Sequence, residues 1–210
     1  MTPKFTITRD RIRTHFNYYW WQYAVLLVFA IFGWNLIYTT THYRPPEHLK
    51  IEWYYEGPTG NHTQDYAEQL LLDAKEKLFP HMEETMFATV GMDDTYGDMQ
   101  LMVWIAAGQG DLYMLKEDSF TANAAQGAMV DLQPYVDDGT LNVEGLDLKK
   151  GYVKLEGTGE KHLYGIPAKN LPKFIDYEIL PDDTVLSILH NGGNTENTVK
   201  LLAYFLEIMK

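Results

Sequence analysis

An uncharged run of 21 residues near the N-terminus, residues 18–38, limits more than any other feature what this chain can fold into. The run reads YYWWQYAVLLVFAIFGWNLIY, and a helix of that length, at about 1.5 Å per residue, matches a hydrocarbon core of about 30 Å. Aromatic residues stand at both ends, with Trp20 at one and Trp34 at the other, where such rings favour the lipid headgroup layer. The sequence therefore predicts a single transmembrane helix over residues 18–40.

The charges before this run predict its orientation. Residues 1–17 carry four basic residues and one acidic residue, a net charge of +3: Lys4, Arg9, Arg11, Arg13 and Asp10. Basic flanks of a membrane helix stay preferentially in the cytoplasm. We therefore expect a cytoplasmic N-terminus over residues 1–17, contact with membrane lipid through residues 18–40, and an extracytoplasmic position for the rest of the chain.

Two other interpretations of the apolar run are weaker. A cleaved signal peptide normally has a shorter apolar core that is followed by a small-x-small cleavage site, and the residues after this run, TTTHYRPPEH, contain no such site. A buried core helix seldom lacks a charged face. The sequence favours an uncleaved anchor in the cell membrane, with the signal peptide as the alternative.

Pro45 and Pro46 mark a short linker over residues 41–47, because proline cannot continue a helix. Residues 48–210 have one composition without low-complexity runs, which predicts one extracytoplasmic domain. The whole chain has a formal charge of −12, so removing the +3 of residues 1–17 leaves −15 on the remainder. A body this acidic repels phosphate backbones, which argues against nucleic acid as a partner.

Strand-like and helix-like patterns alternate along the first part of this domain. Short apolar runs typical of strands are separated by longer stretches with a helical period. The strand candidates are residues 49–57, 84–92 and 111–115, and the helix candidates are residues 63–79, 96–107 and 119–128. This order is typical of βαβ units on a mainly parallel sheet, so the predicted fold class is α/β.

Two glycines after the second helix candidate predict a tight turn. Gly108 and Gly110 stand between the helix and the next strand candidate, and glycine permits the positive φ values that such a reversal requires. The residues after that strand, Lys116, Glu117 and Asp118, are expected in a loop at the carboxyl edge of the sheet. Open α/β sheets commonly bind their ligands at that edge.

Three segments carry motifs in a shared order: IAAGQGDLYMLKEDSFTANAAQGAMVDLQPYVDDGTL (residues 105–141), LYGIP (163–167) and TVLSILHNGGNTENTVKLLAYFLEIM (184–209). They resemble the A-G-x-G-D helix end with its following strand, the Y-G-I-P stretch, and the late strand and helix of family 1 extracellular solute-binding proteins of bacterial ABC importers. The resemblance extends in pieces over residues 49–209. It implies a periplasmic-binding-protein-like fold and a sugar or peptide as the ligand.

The chain departs from that family in one spacing. Such proteins insert a second lobe after the Y-G-I-P stretch, whereas 17 residues separate Pro167 from Val185 here. A stretch that short cannot hold a domain, so we expect one lobe of the periplasmic-binding-protein-like fold. A lone lobe has no hinge closure with which to clamp a solute. This favours a protein partner or a transporter over independent solute capture.

The sequence contains no recognisable catalytic or metal motif. H-E-x-x-H, G-x-S-x-G and Walker patterns are absent, and the chain has no cysteine, which predicts a non-enzyme without cofactor or metal. Residues 93–98, DDTYGD, lack the order of a calcium loop and are better explained as acidic residues before a helix. Residues 190–197, HNGGNTEN, could cradle an anion, but Asn194 as an N-cap explains them better because no basic residue stands nearby.

Five residues are the candidates for ligand or partner binding: Tyr55, Glu56, Tyr96, Lys116 and Glu117. Tyr55 and Glu56 end the first strand candidate, and alternation along the strand makes them the expected exposed pair. Tyr96 stands where the second strand candidate passes into its helix, and such rings stack on sugars or anchor protein partners. Lys116 and Glu117 come from the predicted loop at the carboxyl edge.

These features predict a membrane-anchored, non-catalytic extracytoplasmic binding or accessory protein that engages a protein partner beside an ABC transporter. The alternative is a reduced solute receptor that binds a sugar or peptide for import or sensing. An unrecognised hydrolase is the least favoured hypothesis, because no pair of nucleophile and base is visible.

Overall fold

The computed structural model describes residues 9–43, 45–91, 94–157, 159–190 and 193–210. Parts of the sequence-based expectations therefore lie outside the described residues, among them Lys4, Arg44, Met92, Asp93, Asn191 and Gly192. The chain divides into two structural units, Met1–Arg44 and Pro45–Lys210. This division falls inside the predicted linker of residues 41–47.

The first unit contains one long helix, α1 (Arg9–Thr41). Of the helices that the structure describes, α1 alone is long and apolar enough to cross a membrane, over Ile12–Thr41. It begins nine residues before the predicted span, because residues 9–17 contain no proline or glycine. Asp10 in the first turn also interacts favourably with the helix dipole. The structure thus contains the expected helix and extends it towards the N-terminus.

The second unit contains an α/β domain. Its helices are α2 (Thr63–Leu78), α3 (Asp94–Ala106), α4 (Glu117–Ala125), α5 (Gln133–Asp137) and α6 (Thr195–Ile208). Its strands are β1 (Lys50–Tyr55), β2 (Glu84–Thr89), β3 (Leu112–Lys116), β4 (Tyr152–Lys154), β5 (Lys161–Leu163), β6 (Gly165–Pro167) and β7 (Thr184–Ile188). Short 3₁₀ turns cover Glu47–Leu49, Lys149–Gly151, Ala168–Asn170 and Pro172–Tyr177.

Five strands form the main sheet, in the order β2-β1-β3-β7-β6. β1 pairs in parallel with β2 and β3, whereas β7 is antiparallel to both β3 and β6. The succession β1-α2-β2-α3-β3 confirms the predicted α/β class. The prediction of a mainly parallel sheet is corrected to a mixed sheet. Residues 168–183 connect β6 to β7 through 3₁₀ turns without a crossover helix, and adjacent strands joined in that way run antiparallel.

Both faces of the sheet are covered by helices, so neighbouring strand residues are buried on opposite sides. Trp53 and Tyr55 belong to the core with α2 and α6, where the Trp53 ring lies 4.8 Å from Phe87 and 5.1 Å from Phe205. Tyr54 belongs to the core with α3 and α4. The prediction that Tyr55 is exposed is therefore wrong: its exposed fraction is 0%.

The turns around β3 agree with the prediction on one side and differ on the other. Before β3, Gly108 and Gly110 have φ values of 65° and 82°, which confirms the predicted tight turn. After β3, the predicted loop is absent from the described structure, because β3 ends at Lys116 and α4 begins at Glu117. The strand passes directly into the helix.

Asn194 occupies the N-cap position of α6, as predicted. Its side-chain amide donates a hydrogen bond to the backbone carbonyl of Lys50 rather than capping the helix. The hydroxyl of Thr198 donates to the carbonyl of Asn194 at 2.9 Å. The start of α6 is therefore tied to the start of β1.

Candidate functional site

The carboxyl edge of the sheet collects residues from β1, β3 and the segment before β7. The parallel strands β1 and β3 end here, next to Glu56 and Lys116. Because β7 is antiparallel, it begins at the same edge after Asp183, whose carbonyl accepts a hydrogen bond from the Glu117 N–H at 3.0 Å. The structure therefore brings together three of the five predicted site residues, Glu56, Lys116 and Glu117.

Glu56 is a buried carboxylate that fixes the start of α4. Its Oε2 atom accepts a hydrogen bond from the Lys116 N–H at 3.1 Å, and Oε1 accepts one from the Ser119 hydroxyl at 2.9 Å. Burial raises the pKa of Glu56, and these hydrogen bonds partly offset the rise. The prediction of an exposed Glu56 is wrong, because its carboxylate, 7% exposed, is turned towards donors at the start of α4.

Tyr55 is held in the core by its hydroxyl as well as its ring. The hydroxyl donates to the Pro58 carbonyl at 3.1 Å and accepts from the Leu180 N–H at 3.2 Å. Buried tyrosines commonly find such partners for their hydroxyl. Tyr55 therefore links β1 to the segment that leads into β7.

Four charged side chains beside Glu56 form a set that we call the charged row: Lys116, Glu117, Lys150 and Asp183. Lys116 Nζ lies 3.8 Å from Glu56 Oε1. Lys150 Nζ lies 2.5 Å from Glu117 Oε2 and 3.2 Å from Asp183 Oδ1. Sequence reasoning missed Lys150 and Asp183, because both come from distant parts of the chain and no local motif marks them.

Asp183 has a backbone conformation that is uncommon for a residue with a side chain. Its φ is 57°, in the left-handed region that favours glycine. Its side chain is 86% exposed, the most accessible of the charged row. Backbone strain of this kind occurs preferentially at functional sites, so Asp183 joins the candidate site.

Tyr96 lies in the first turn of α3, and its exposed fraction is 74%. The start of α3 lies near the same edge, since repulsion by Asp98 adds to the larger effect of burial in raising the pKa of Glu56. Glycine at position 97 allows this approach, because a Cβ there would overlap the carbonyl oxygen of Gly91 after β2. Of the two predicted tyrosines, Tyr96 is the one whose ring is accessible.

The charged row offers donors and acceptors in alternation. Lysine supplies up to three donors and an ionised carboxylate only acceptors, so this surface suits a polar ligand or the polar surface of a protein. Within the described ranges, no three His, Asp or Glu side chains come close enough together to hold a metal ion.

A separate cleft lies beside α6, between the end of α2 and residues 140–142. Apolar, polar and charged side chains of both signs line it: Leu78, Thr140, Asn142, Lys200, Ala203, Tyr204, Leu206, Glu207 and Lys210. Lys77 Nζ donates to the Tyr204 hydroxyl at 3.0 Å. None of the five predicted site residues lines this cleft, so a small ligand has a second concave surface on the domain.

Comparison with solved structures finds proteins of the family that the sequence motifs resemble. A family 1 extracellular solute-binding protein from Alicyclobacillus acidocaldarius is 20% identical, with a TM-score of 0.41 over 57% of this chain and 28% of its own. An ABC substrate-binding protein from Listeria monocytogenes, in complex with cycloalternan, is 19% identical, with a TM-score of 0.40 over 55% and 28%. An N-glycan transport solute binding protein from Streptococcus pneumoniae is 22% identical, with a TM-score of 0.40 over 57% and 25%.

The chain spans about a quarter of the length of these solved proteins, between 25% and 28%. The similarity is one of fold. No protein-family profile and no curated protein matches the chain.

Proposed function

We propose that this chain is a single-pass membrane protein whose Pro45–Lys210 domain is a non-catalytic, extracytoplasmic binding or accessory module. Residues 1–17 lie in the cytoplasm, and the domain engages a protein partner beside an ABC transporter. The observation that carries the proposal is the surface of α1, whose apolar side chains are exposed along the helix: Leu26 65%, Phe29 73%, Phe32 71% and Leu36 65%. A helix with this length and this apolar surface matches the hydrocarbon core of a bilayer.

The exposure of the charged row supports the proposal that the domain binds a protein partner. Its side chains are between 37% and 86% exposed, so they can exchange their internal ion pairs for pairs with a partner. Complementary charges at an interface guide orientation and association rate. Tyr96 adds an accessible ring near the same edge, and tyrosine is enriched among the residues that dominate binding energy.

Photo-crosslinking of the full chain in its native membrane tests this proposal. A benzophenone amino acid replaces Asp183 in one variant and Glu76 in the matched control, which is exposed near the C-terminal end of α2. We expect a discrete adduct with another protein at position 183 and none at position 76. The position-183 adduct should also weaken in a Lys150→Glu background. Identical adducts from both positions would contradict engagement through the charged row.

A second candidate function is a reduced solute receptor that binds a sugar or peptide at the same edge. The position of the charged row favours it, because open α/β sheets bind ligands outside the carboxyl ends of their strands. Two of the similar solved proteins are described with cycloalternan or with N-glycan transport. These descriptions suggest oligosaccharides as the first compounds to test.

Thermal unfolding of the full chain in detergent, against a panel of oligosaccharides and peptides, separates the two functions. A ligand present at 100 times its Kd stabilises a protein by about 2.7 kcal/mol, and each kcal/mol raises the Tm of a domain of this size by about 2–4 °C. A saturable rise that disappears in Lys116→Ala would support the receptor. A Tm unaffected by the panel would leave the protein partner as the supported function.

A further inference from the structure

The cleft beside α6 is large enough to hold a small molecule. Its volume is about 740 Å³, and small-molecule sites in proteins commonly measure about 300–1,000 Å³. Four of the lining residues come from the less buried side of α6, since residues three, four and seven apart are neighbours on a helix: Lys200, Ala203, Tyr204 and Glu207. The helix therefore presents charged and polar groups to the cleft as well as apolar ones.

One wall of the cleft, residues 140–142, is anchored in the core. Leu141 is 1% exposed, and its N–H donates to the Tyr135 carbonyl at 2.8 Å. The side chain of Asn142 is fixed as well, because its Oδ1 atom accepts a hydrogen bond from the Glu144 N–H at 3.0 Å. This wall is therefore part of the folded domain, and a preformed site lowers the entropic cost of binding.

Two lysines at the cleft are held by neutral oxygen atoms. Lys77 Nζ donates to the Tyr204 hydroxyl at 3.0 Å, and Lys210 Nζ donates to the Asn142 carbonyl at 3.0 Å. Lys200 is exposed and stands one helical turn before Tyr204. Within the described part of the chain, no carboxylate forms an ion pair with these three ammonium groups. Neutral acceptors fix a positive charge without neutralising it, so the charges remain available to an anion.

The lining of the cleft is positive although the domain is acidic. Removing the +3 of residues 1–17 and the +1 of Arg44 from −12 leaves −16 on residues 45–210, whereas the three lysines and Glu207 at the cleft sum to +2. Four other lysines of the domain are already paired with carboxylates: Lys50, Lys116, Lys150 and Lys169. Exposed charges more than about 8 Å apart are largely screened at physiological ionic strength, so the nearby lysines decide which ions enter the cleft.

Lys77 retains its charge at neutral pH. Its hydrogen bond with the Tyr204 hydroxyl raises the pKa of Lys77, and the nearby charges of Asp73 and Glu207 add to this rise. When Asp73 is counted as well, the charged groups around the cleft still sum to +1. An anionic group is therefore the complement that this arrangement favours, because hydrogen bonds between ionised groups are the strong ones.

Apolar surface lies beside these charges. Leu78, Ala203 and Leu206 line the cleft together with the half-buried ring of Tyr204. A bare inorganic anion would contact the lysines and leave this surface in water, whereas a molecule with an apolar body removes it from water, which favours binding. Small-molecule sites commonly combine an apolar lining with a few placed polar groups. The lining therefore favours an organic anion over an inorganic one.

We propose that this cleft binds a small organic anion, whose carboxylate or phosphate group contacts Lys77 and Lys200 and whose apolar body lies against Leu78 and the ring of Tyr204. Lys210 offers a further contact beyond the end of α6. The site is separate from the charged row, because in the described structure none of the four side chains of that row lines the cleft. The inference concerns the Pro45–Lys210 domain alone and does not depend on the proposed function.

Fluorine NMR of the full chain in an uncharged detergent tests this inference. The probes are para-fluorophenyl phosphate and para-fluorobenzoate, which carry the two anionic groups on the same ring, and para-fluorobenzyl alcohol is the neutral comparison. Each probe is titrated with the protein and with detergent alone, and the Kd is taken from the change in line width. We expect saturable binding of at least one anionic probe, and no binding of the alcohol beyond that seen with detergent alone.

Substitutions in the lining should change the Kd in opposite directions. Lys200→Gln removes one exposed positive charge and should weaken binding by about tenfold. Glu207→Gln removes the carboxylate in the lining and should tighten binding by about threefold, a gain that misfolding cannot produce. Lys161→Gln, at an exposed lysine outside the cleft, is the matched control and should leave the Kd unchanged.

Four results would overturn the inference. Absence of saturable binding of both anionic probes would show that the lysines form no site, and equal binding of the alcohol would show an apolar cleft without preference for anions. A Kd that Lys161→Gln changes as much as Lys200→Gln would indicate unspecific attraction to surface charge. Loss of binding in Lys116→Ala without an effect of Lys200→Gln would place the anion at the carboxyl edge, in support of the solute receptor.

Discussion

At the carboxyl edge of the sheet, polar groups pair with one another. The helix α3, by contrast, leaves apolar side chains exposed on the side that faces away from the sheet. Glu56 binds the start of α4, and the charged row continues this pairing towards the surface. On α3, the side chains of Met99, Met102 and Val103 are between 61% and 70% exposed. Substitution of the buried Glu56 should therefore act on folding, whereas substitution of the exposed apolar residues on α3 should leave the folded domain intact.

The largest effect on stability is expected where α3 meets the carboxyl edge. Gly97→Val places a branched side chain against the carbonyl oxygen of Gly91, and overpacking of this kind costs about 1–3 kcal/mol. In thermal unfolding of the full chain in detergent, we expect a loss of stability at the upper end of that range. Each kcal/mol lost lowers the Tm by about 2–4 °C. Gly193→Val is the control, because a Cβ at Gly193 meets open space. Equal Tm values for the two variants would show that α3 tolerates a shift of its start.

The next effect concerns the buried carboxylate. Glu56→Ala leaves the Lys116 N–H and the Ser119 hydroxyl without their acceptor, and a buried donor left unsatisfied costs about 1–3 kcal/mol. We expect a Tm several degrees below that of the unchanged chain. Glu117→Ala, which removes a half-exposed ion pair, is the matched comparison and should cost less than about 1 kcal/mol. A smaller loss for Glu56→Ala than for Glu117→Ala would reverse the roles assigned to the two carboxylates.

The raised pKa of Glu56 predicts a pH dependence of stability that substitutions on α3 should not change. Burial raises this pKa in the folded state, so the contribution of Glu56 to stability is complete below the unfolded pKa of glutamate, about 4.3. That contribution is lost as the pH rises through the higher folded pKa. Between acidic and neutral pH, the unfolding free energy of the unchanged chain should fall relative to Glu56→Gln. Met102→Gln should not alter that pH dependence, and parallel curves for Glu56→Gln would remove Glu56 as its source.

The same contrast explains how much could be predicted from the sequence. Alternating periods and the turn glycines Gly108 and Gly110 predicted the βαβ units, because both signals are local. The predicted exposure of Tyr55 and Glu56 was wrong, because alternation along a strand does not reveal that helices cover both faces of the sheet. The direction of β7 depends on pairing with distant strands.

Two site residues escaped prediction for the same reason. Lys150 and Asp183 meet Glu117 only because β7 runs antiparallel and begins at the carboxyl edge. The apolar character of α3 was visible in the sequence, but which of its sides the sheet covers was not. Local patterns therefore predicted β1 to β3 and α2 to α4, and the site required the tertiary structure.

The smallest effect is expected in the charged row itself. Lys150 pairs with two carboxylates, but its side chain is 37% exposed and that of Asp183 is 86% exposed. Exposed ion pairs contribute little to stability, and salt screens them. Lys150→Ala should therefore lower the Tm slightly at low ionic strength and not at high salt, while Lys161→Ala, at another exposed lysine, should have no effect at either. If Lys150→Ala instead destabilised the domain as much as Glu56→Ala, the row would act with Glu56 as one cooperative network. Its ion pairs would then not be free to exchange for those of a partner, and binding would have to use Tyr96 and the surface around it.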